Sequence, residues 1–402
     1  MYPVYALLFA DTGLSTAEIS SLFAIWSITS FVLEIPSGVL ADATSRRVLL
    51  AIAPLLTAAG YALWIFAPSY PAFALGFALW GAQGSLQSGA FEALAYEELE
   101  RLQAATHYPT VMGRATALAT VASAAATALA APVLAVDGFT GVGIASIAAC
   151  VAAAGVGAAL PEHRAAPDSR RGRRHDDEDG FAGYLDVLRT GAATARTQLR
   201  VRAALLLVPA VTAIWGSLDE YLPLLAVEAG TRLEAVPLLA LLVYAGMAVG
   251  GLSAGRVSRL DPRGFAVLLL FAAGALAAGA LTRVPAGFML IALAFGAFQA
   301  LTVAADARLQ AAIDGDARST ITSFAGFATE VLVVGVFAAY AVGSQLLDHA
   351  TLFASFAVAH TAVAAWLWRT PDHHSAEDGC GSASGAATVP LNRSSGRDAG
   401  LS

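Results

Sequence analysis

Long apolar runs recur along almost the whole chain, separated by short polar turns. Windows of roughly 20 apolar residues fall near 1–10 (a short one), 18–40, 48–67, 71–95, 115–136, 139–160, 203–227, 235–257, 264–282, 286–307, 319–345 and 350–368. A hydrocarbon core of ~30 Å takes ~20 helical residues to cross. Backbone groups in lipid must be satisfied within the segment, so each run predicts a continuous helix. A transmembrane β-barrel would show alternating segments of ~10 residues, and the sequence has none. The pattern predicts an all-α integral membrane protein of about twelve transmembrane helices.

One long polar interruption divides the runs six and six. It spans 161–200 and places Arg170-Arg171-Gly172-Arg173-Arg174 directly before an acidic block, Asp176 to Asp179. Such composition is that of a solvated linker. The expected organisation is an N-terminal six-helix bundle over 1–160, the linker over 161–200, a C-terminal six-helix bundle over 201–369 and a disordered tail over 370–402. The first run is only about half a crossing, ~15 Å at 1.5 Å per residue, and lacks the charged start and cleavage pattern of a signal peptide. A full first span is therefore expected to begin ~10–20 residues upstream of Met1, leaving the first helix truncated here.

Composition sharpens this picture. Hydrophobic residues make up 57% of the 402 and charged residues 13%, with a mean hydropathy of +0.66. A water-facing surface needs about 25% charged residues. The net charge of −7 says less than the placement of the arginines, since the chain has no lysine. With the short first run directed outward, every arginine except Arg232 and Arg283 falls on one side of the membrane. The positive-inside rule puts that side, and both termini, in the cytoplasm and the protein in the cell membrane. Cys150 and Cys380 offer no disulfide framework, and no cluster with metal-ligand spacing appears, His373-His374 in the tail included. There is no phosphate-cradling GxxxxGK[ST] and no nucleophile elbow, so neither an ATP-driven pump nor an enzyme is expected.

The two halves echo each other. Asp11-Thr12-Gly13 closes the first helix of one half as Glu228-Ala229-Gly230 closes that of the other. Gly113-Arg114-Ala115-Thr116 and Ala317-Arg318-Ser319-Thr320 open the fifth helix of each. Internal repeats of this kind typify secondary transporters, whose substrate path runs between the repeats.

The most informative stretch is the charged hinge between the second and third spans. Its residues Gly38, Leu40, Asp42, Arg46 and Arg47 match G-x-L-x-D-x-x-x-R-R/K. This resembles the loop 2–3 signature of the major facilitator superfamily. The resemblance covers about 1–369 and implies two pseudo-symmetric six-helix bundles, alternating access, and a latch formed by Gly38, Asp42, Arg46 and Arg47 that stabilises one access state. The second-half counterpart, Gly255 to Arg259, has no matching Asp. Trp80-Gly81-Ala82-Gln83-Gly84 lacks the arginine of the drug exporters' R-x-x-Q-G, and only Pro132 remains of the Gly-rich antiporter signature. Glu34-Ile35-Pro36-Ser37-Gly38, Ser88 to Tyr96, and Leu309-Gln310 followed by Arg318 to Thr320 resemble a branch of bacterial small-molecule exporters.

Ionisable groups within apolar runs cost free energy and usually face the protein interior or a water-filled path. Glu330 lies ~11 residues into the eleventh span, ~16 Å deep and near the midplane. Glu34 sits two turns before Asp42, beside Pro36. The superfamily resemblance implies that the second and eleventh spans pack together, bringing both carboxylates to one wall. Each is read either as a proton carrier, whose carboxyl dehydration tunes toward neutrality, or as a hydrogen-bonded acid joining helices. Asp219 and Glu220 stand either at substrate or at an outer helix end. Glu92 and Asp306 are expected to pair near the arginine-rich ends with Arg101, Arg114 or Arg308, and Arg318 belongs to the same structural set. His360 is expected to be a packed histidine, and Trp26, Trp64, Trp80 and Trp215 are expected mostly to pack. The resulting reading is a secondary transporter that exports a small amphipathic molecule in exchange for protons. It uses no cofactor, draws on the proton gradient, and has a small-molecule substrate and membrane lipid as partners, with no nucleic acid and a monomeric state. A facilitator or importer of a polar metabolite is the first alternative, and a non-transporting sensor or scaffold the second.

Overall fold

The computed structural model describes residues 1–87, 90–163, 199–313 and 318–369. Most of the expected linker, with its basic and acidic blocks, lies outside the described residues, as do Ser88, Gly89, Ala317 and the tail with His373, His374 and Cys380. The side chains of Asp42, Arg318, Ser319 and Thr320 also lie outside them. In chain order the helices are α1 (Tyr5–Asp11), α2 (Thr16–Ala43), α3 (Arg46–Phe66), α4 (Tyr70–Gln87), α5 (Ala90–Arg101), α6 (Tyr108–Ala159) and α7 (Leu199–Asp219). They continue with α8 (Leu222–Glu228), α9 (Val236–Val257), α10 (Pro262–Leu281), α11 (Phe288–Ala312), α12 (Arg318–Gly343) and α13 (His349–Arg369). No strand occurs among the described residues.

Eight of these helices are long and apolar enough to cross a bilayer, and α7 with α8, bent by 54°, makes a ninth. Two of the twelve expected spans share α6, whose 52 residues continue through a break at Gly138 (φ 61, ψ −156). The shorter α4 and α1 fill the remaining places, so the segment order is the twelve-span order read from the sequence.

Helix starts follow local chemistry. Ser15 and Glu18 form a reciprocal capping box at α2: the Ser15 backbone N–H donates to Glu18 Oε2 (2.8 Å) and the Glu18 N–H to Ser15 Oγ (3.3 Å). Ser45 Oγ caps α3 by accepting from the Val48 N–H (3.2 Å), and Asp261 caps α10 through the Gly264 N–H (2.8 Å). Asp348 caps α13 (2.9 Å to the Thr351 N–H) and pairs with Arg283. The Thr351 hydroxyl and N–H, with Arg283, hold its carboxyl down at about 2, so the cap stays charged at any ordinary pH.

The echoed segments take one structure. Both α1 and α8 are seven residues long. Each ends at a left-handed glycine, Gly13 (φ 90) and Gly230 (φ 82). The terminal bonds repeat: Gly13 N–H to Ala10 O and Leu14 N–H to Phe9 O match Gly230 N–H to Val227 O and Thr231 N–H to Ala226 O. Packing repeats as well. Helix α2 lies on α4 as α9 lies on α11, and α3 lies on α6 as α10 lies on α13.

The α9–α11 crossing is close because it is made of glycines. A Cβ on Gly250 would come 1.9 Å from the Gly296 carbonyl oxygen. Gly250→Leu is expected to wedge the two helices apart and destabilise the fold by about 1–3 kcal/mol or more, read as a lower melting midpoint in detergent. Gly255→Ala, with nothing within 4 Å of its Cβ, should leave the midpoint unchanged.

Candidate functional site

The two halves meet along an α2–α12 seam. Phe23 faces Phe337, Ser27 faces Glu330 and Phe31 faces Phe327. Spacings of four on α2 keep these residues on one face. Toward the helix end opposite the arginine-rich loops the contacts are dense. Tyr221, fully buried, donates its hydroxyl to Ser20 Oγ (2.7 Å) and stacks on Tyr340 at 3.6 Å. Tyr244 donates to the Tyr2 hydroxyl (2.6 Å), which donates to Asp219 Oδ2 (2.5 Å). Glu228 accepts the backbone N–H groups of His349 (2.8 Å) and Ala350 (3.0 Å).

Among the described residues the arginine-rich end is the open one. From Gly113 to Ala126 every residue of α6 except Ala115 and Ala124 is exposed. A helix packed into a bundle hides one face, so exposure all round means open space on the bundle side too. Among the described residues the bundle is closely packed at one end and open at the other.

Two cavities adjoin at the seam. One, of about 190 Å³, is lined by Ser30, Phe31, Glu34, Gly84, Ser85 and Glu330. The other, of about 220 Å³, lies deeper and is lined by residues of α2, α7, the α7–α8 break and α12 that include Trp26, Ser27, Glu220, Glu330 and Phe337. Glu330 borders both and accepts a hydrogen bond from Ser27 Oγ (2.6 Å). Glu34 and Glu330 thus share one wall, as expected, with Glu34 at the exposed end. Asp219 and Glu220 face different surroundings: Asp219 Oδ2 ends the Tyr244–Tyr2 hydrogen-bond chain at the closed end, while Glu220 lines the deeper cavity, and each has one shielded carboxyl oxygen without a hydrogen-bond partner among the described residues. The α7–α8 break that carries them bends the span and turns Glu220 inward.

Sequence reading missed Ser20, Ser27, Tyr2 and Tyr244, although hydroxyls in apolar spans were a usable signal. Trp64 is fully buried, Trp215 packs on Phe295 and Phe298, and His360 is fully buried against Phe298 (4.4 Å), as packing residues. Trp26 lines the deeper cavity and packs on Trp80 (5.8 Å).

Two expectations need correction. The hinge at 38–47 is narrower than expected: α2 continues through Ala43, so Gly38 and Asp42 are helical and the chain turns only at Thr44-Ser45. Arg46 pairs with Glu97 of α5 (2.5 Å), its backbone N–H donates to Glu162 (2.9 Å), and Arg47 is exposed. The pairs expected for Glu92 and Asp306 do not form among the described residues, and Glu92, Asp306 and Arg114 are all exposed. Glu92 lies about 14 Å along α5 from Arg101, which pairs with Glu98 (3.0 Å) instead. Arg308, two residues from Asp306, points to another face; it lies over the Phe265 ring (4.4 Å) and donates to the Leu260 carbonyl.

Repeated helical halves with acidic cavities on the seam between them are the build of a membrane transporter. The chain belongs to the Major Facilitator Superfamily, whose family model matches residues 1–338. No curated protein gives a significant sequence match. The nucleoside transporter NupG has a similar structure, with a TM-score of 0.66 at 13% identity over 92% of this chain and 94% of that one. The D-xylose-proton symporter scores 0.63 at 13% identity over 91% of each chain. A bacterial homologue of the human lysosomal transporter Spinster, in an inward-facing and occupied conformation, scores 0.56 at 14% identity over 91% of this chain and 92% of that one. At such identities the likeness is one of fold.

Proposed function

We propose that this transporter works by alternating access and exports a small amphipathic molecule across the cell membrane in exchange for protons. The arginine-rich face is cytoplasmic in this reading, and the structure described is the inward-open state. The observation that carries it is Glu330: a carboxylate at mid-span, on the seam between the halves, bordering both cavities of the open side. Glu330, Glu34 and Glu220 are the protonation and substrate candidates, with Asp219 at the closed gate. Gly38, Asp42, Arg46 and Arg47 form the latch, which in this state ties Arg46 to its own half through Glu97. The 1–160 and 201–369 bundles move against each other, joined by the 161–200 linker, in a single monomeric chain that needs no cofactor beyond the proton gradient.

The test is proton flux in proteoliposomes of the full chain against a panel of lipophilic cations, antibiotics and neutral metabolites. Export coupled to protons predicts that at least one compound drives protons opposite to its own movement. Compound movement that ignores the pH gradient would establish the facilitator instead. If no compound moves and deletion of 370–402 abolishes partner binding, a sensor or scaffold role replaces transport.

A further inference from the structure

We propose that the deeper cavity receives a small organic monocation, its ammonium group held between Glu220 and Glu330 and its apolar part against Trp26 and Phe337. This rests on the transport reading above for its role, and adds the substrate's charge and size. The cavity's polar wall is Ser27, Ser30, Ser217, Glu220 and Glu330, and its apolar wall is Trp26, Val333 and Phe337. No arginine or histidine lines it or the adjoining cavity. Two acids therefore face a shared space with no cationic side chain among its described lining residues.

Glu330 has one partner, the Ser27 hydroxyl, which leaves acceptor positions free. Glu220 has an oxygen sealed from solvent with no donor at all. Unpaired buried carboxylate oxygens are costly, and a turn of the Glu220 side chain toward the cavity lets a bound ammonium supply the missing donor. An anion would meet two acids at close range. A neutral hydroxyl compound can donate one hydrogen bond but brings no positive charge to the two acids.

The aromatic wall fits the other end of such a ligand. Trp26 is braced by Trp80, and an indole face attracts a cation or stacks on a ring. Volume sets the size: about 220 Å³, with about 190 Å³ more in the adjoining cavity across Ser30 and Glu330. One ring with an alkylammonium fits, and a large multi-ring cation does not.

The experiment is equilibrium binding by titration calorimetry on the full-length protein in detergent, with no gradient, using benzylammonium, whose three N–H groups can donate, with benzyl alcohol and benzoate. The cation should bind about tenfold more tightly than the alcohol, and benzoate should not bind. Glu220→Gln and Glu330→Gln should each weaken the cation about tenfold and leave the alcohol unchanged. Trp26→Leu should weaken it about fivefold, which keeps the test open if a carboxylate variant fails to elute as a monodisperse peak. Equal binding of the three probes, binding of none, or cation binding unmoved by all three variants would overturn the proposal. Cation binding without proton-coupled flux in proteoliposomes would sink the export reading alone. Coupled flux of a neutral compound without cation binding would sink this inference alone.

Discussion

Glu330→Gln is expected to cut substrate-driven proton movement by about tenfold or more while leaving the fold intact. Glutamine keeps the shape of glutamate and a carbonyl oxygen that can still accept from Ser27 Oγ, so the α2–α12 seam stays satisfied. What disappears is the capacity to take and release a proton on the seam, which is the position both access states must share. Glu330→Asp retains that capacity on a shorter side chain and should recover part of the flux. Glu34→Gln, at the exposed end of the same wall, should have the smaller effect. The check is flux under an imposed pH gradient, with melting midpoints measured in parallel. Unchanged flux with a lowered midpoint would reduce Glu330 to a residue that holds helices together.

Much of the fold was legible because lipid imposes simple rules on the backbone. Apolar runs became helices, and the acid-x-Gly echoes at 11–13 and 228–230 became matching helix ends. The family followed from the 38–47 signature with the six-and-six division. The site was half legible. Isolated acids in apolar runs stand out by cost alone, and that singled out Glu330, Glu34, Asp219 and Glu220.

Their partners were not legible, because periodicity says which face a residue occupies but not what that face meets. Ser27 and Glu330 are 303 residues apart, and only the packing of α2 on α12 brings them together. The charge pairs failed for the complementary reason. A shared position near the arginine-rich helix ends suggested Arg101, Arg114 or Arg308 for Glu92 and Asp306, whereas helix geometry turns Arg101 and Arg308, nine and two residues away, to other partners. Glu97 and Glu98 took the arginines because α5 carries them beside Arg46 and Arg101.

Asp219→Leu is expected to loosen the closed end of the bundle and raise the population open at that end by about tenfold. The register that places Gly13 on Gly230 also places Tyr2 on Asp219, 217 residues away. Equivalent positions of two repeats touch only on the axis that relates them, so this hydrogen bond sits where the halves must part. Removing the acceptor leaves the Tyr2 hydroxyl, with Tyr244 behind it, buried and short of a partner. Such a loss costs about 1–3 kcal/mol, and it falls on the state closed at this end because only that state makes the contact. Asp219→Asn, which keeps a carbonyl acceptor, should fall between leucine and wild type. The population can be read through Ser20→Cys in a Cys150→Ala, Cys380→Ala background: Ser20 is buried against Tyr221 across the seam, so a membrane-impermeant maleimide reaches it from that side only when the halves separate. Faster labelling in the Asp219→Leu background is the expected result. An unchanged rate in a correctly folded variant would mean that the contacts of Phe23 with Tyr221 and Phe337 hold the gate by themselves.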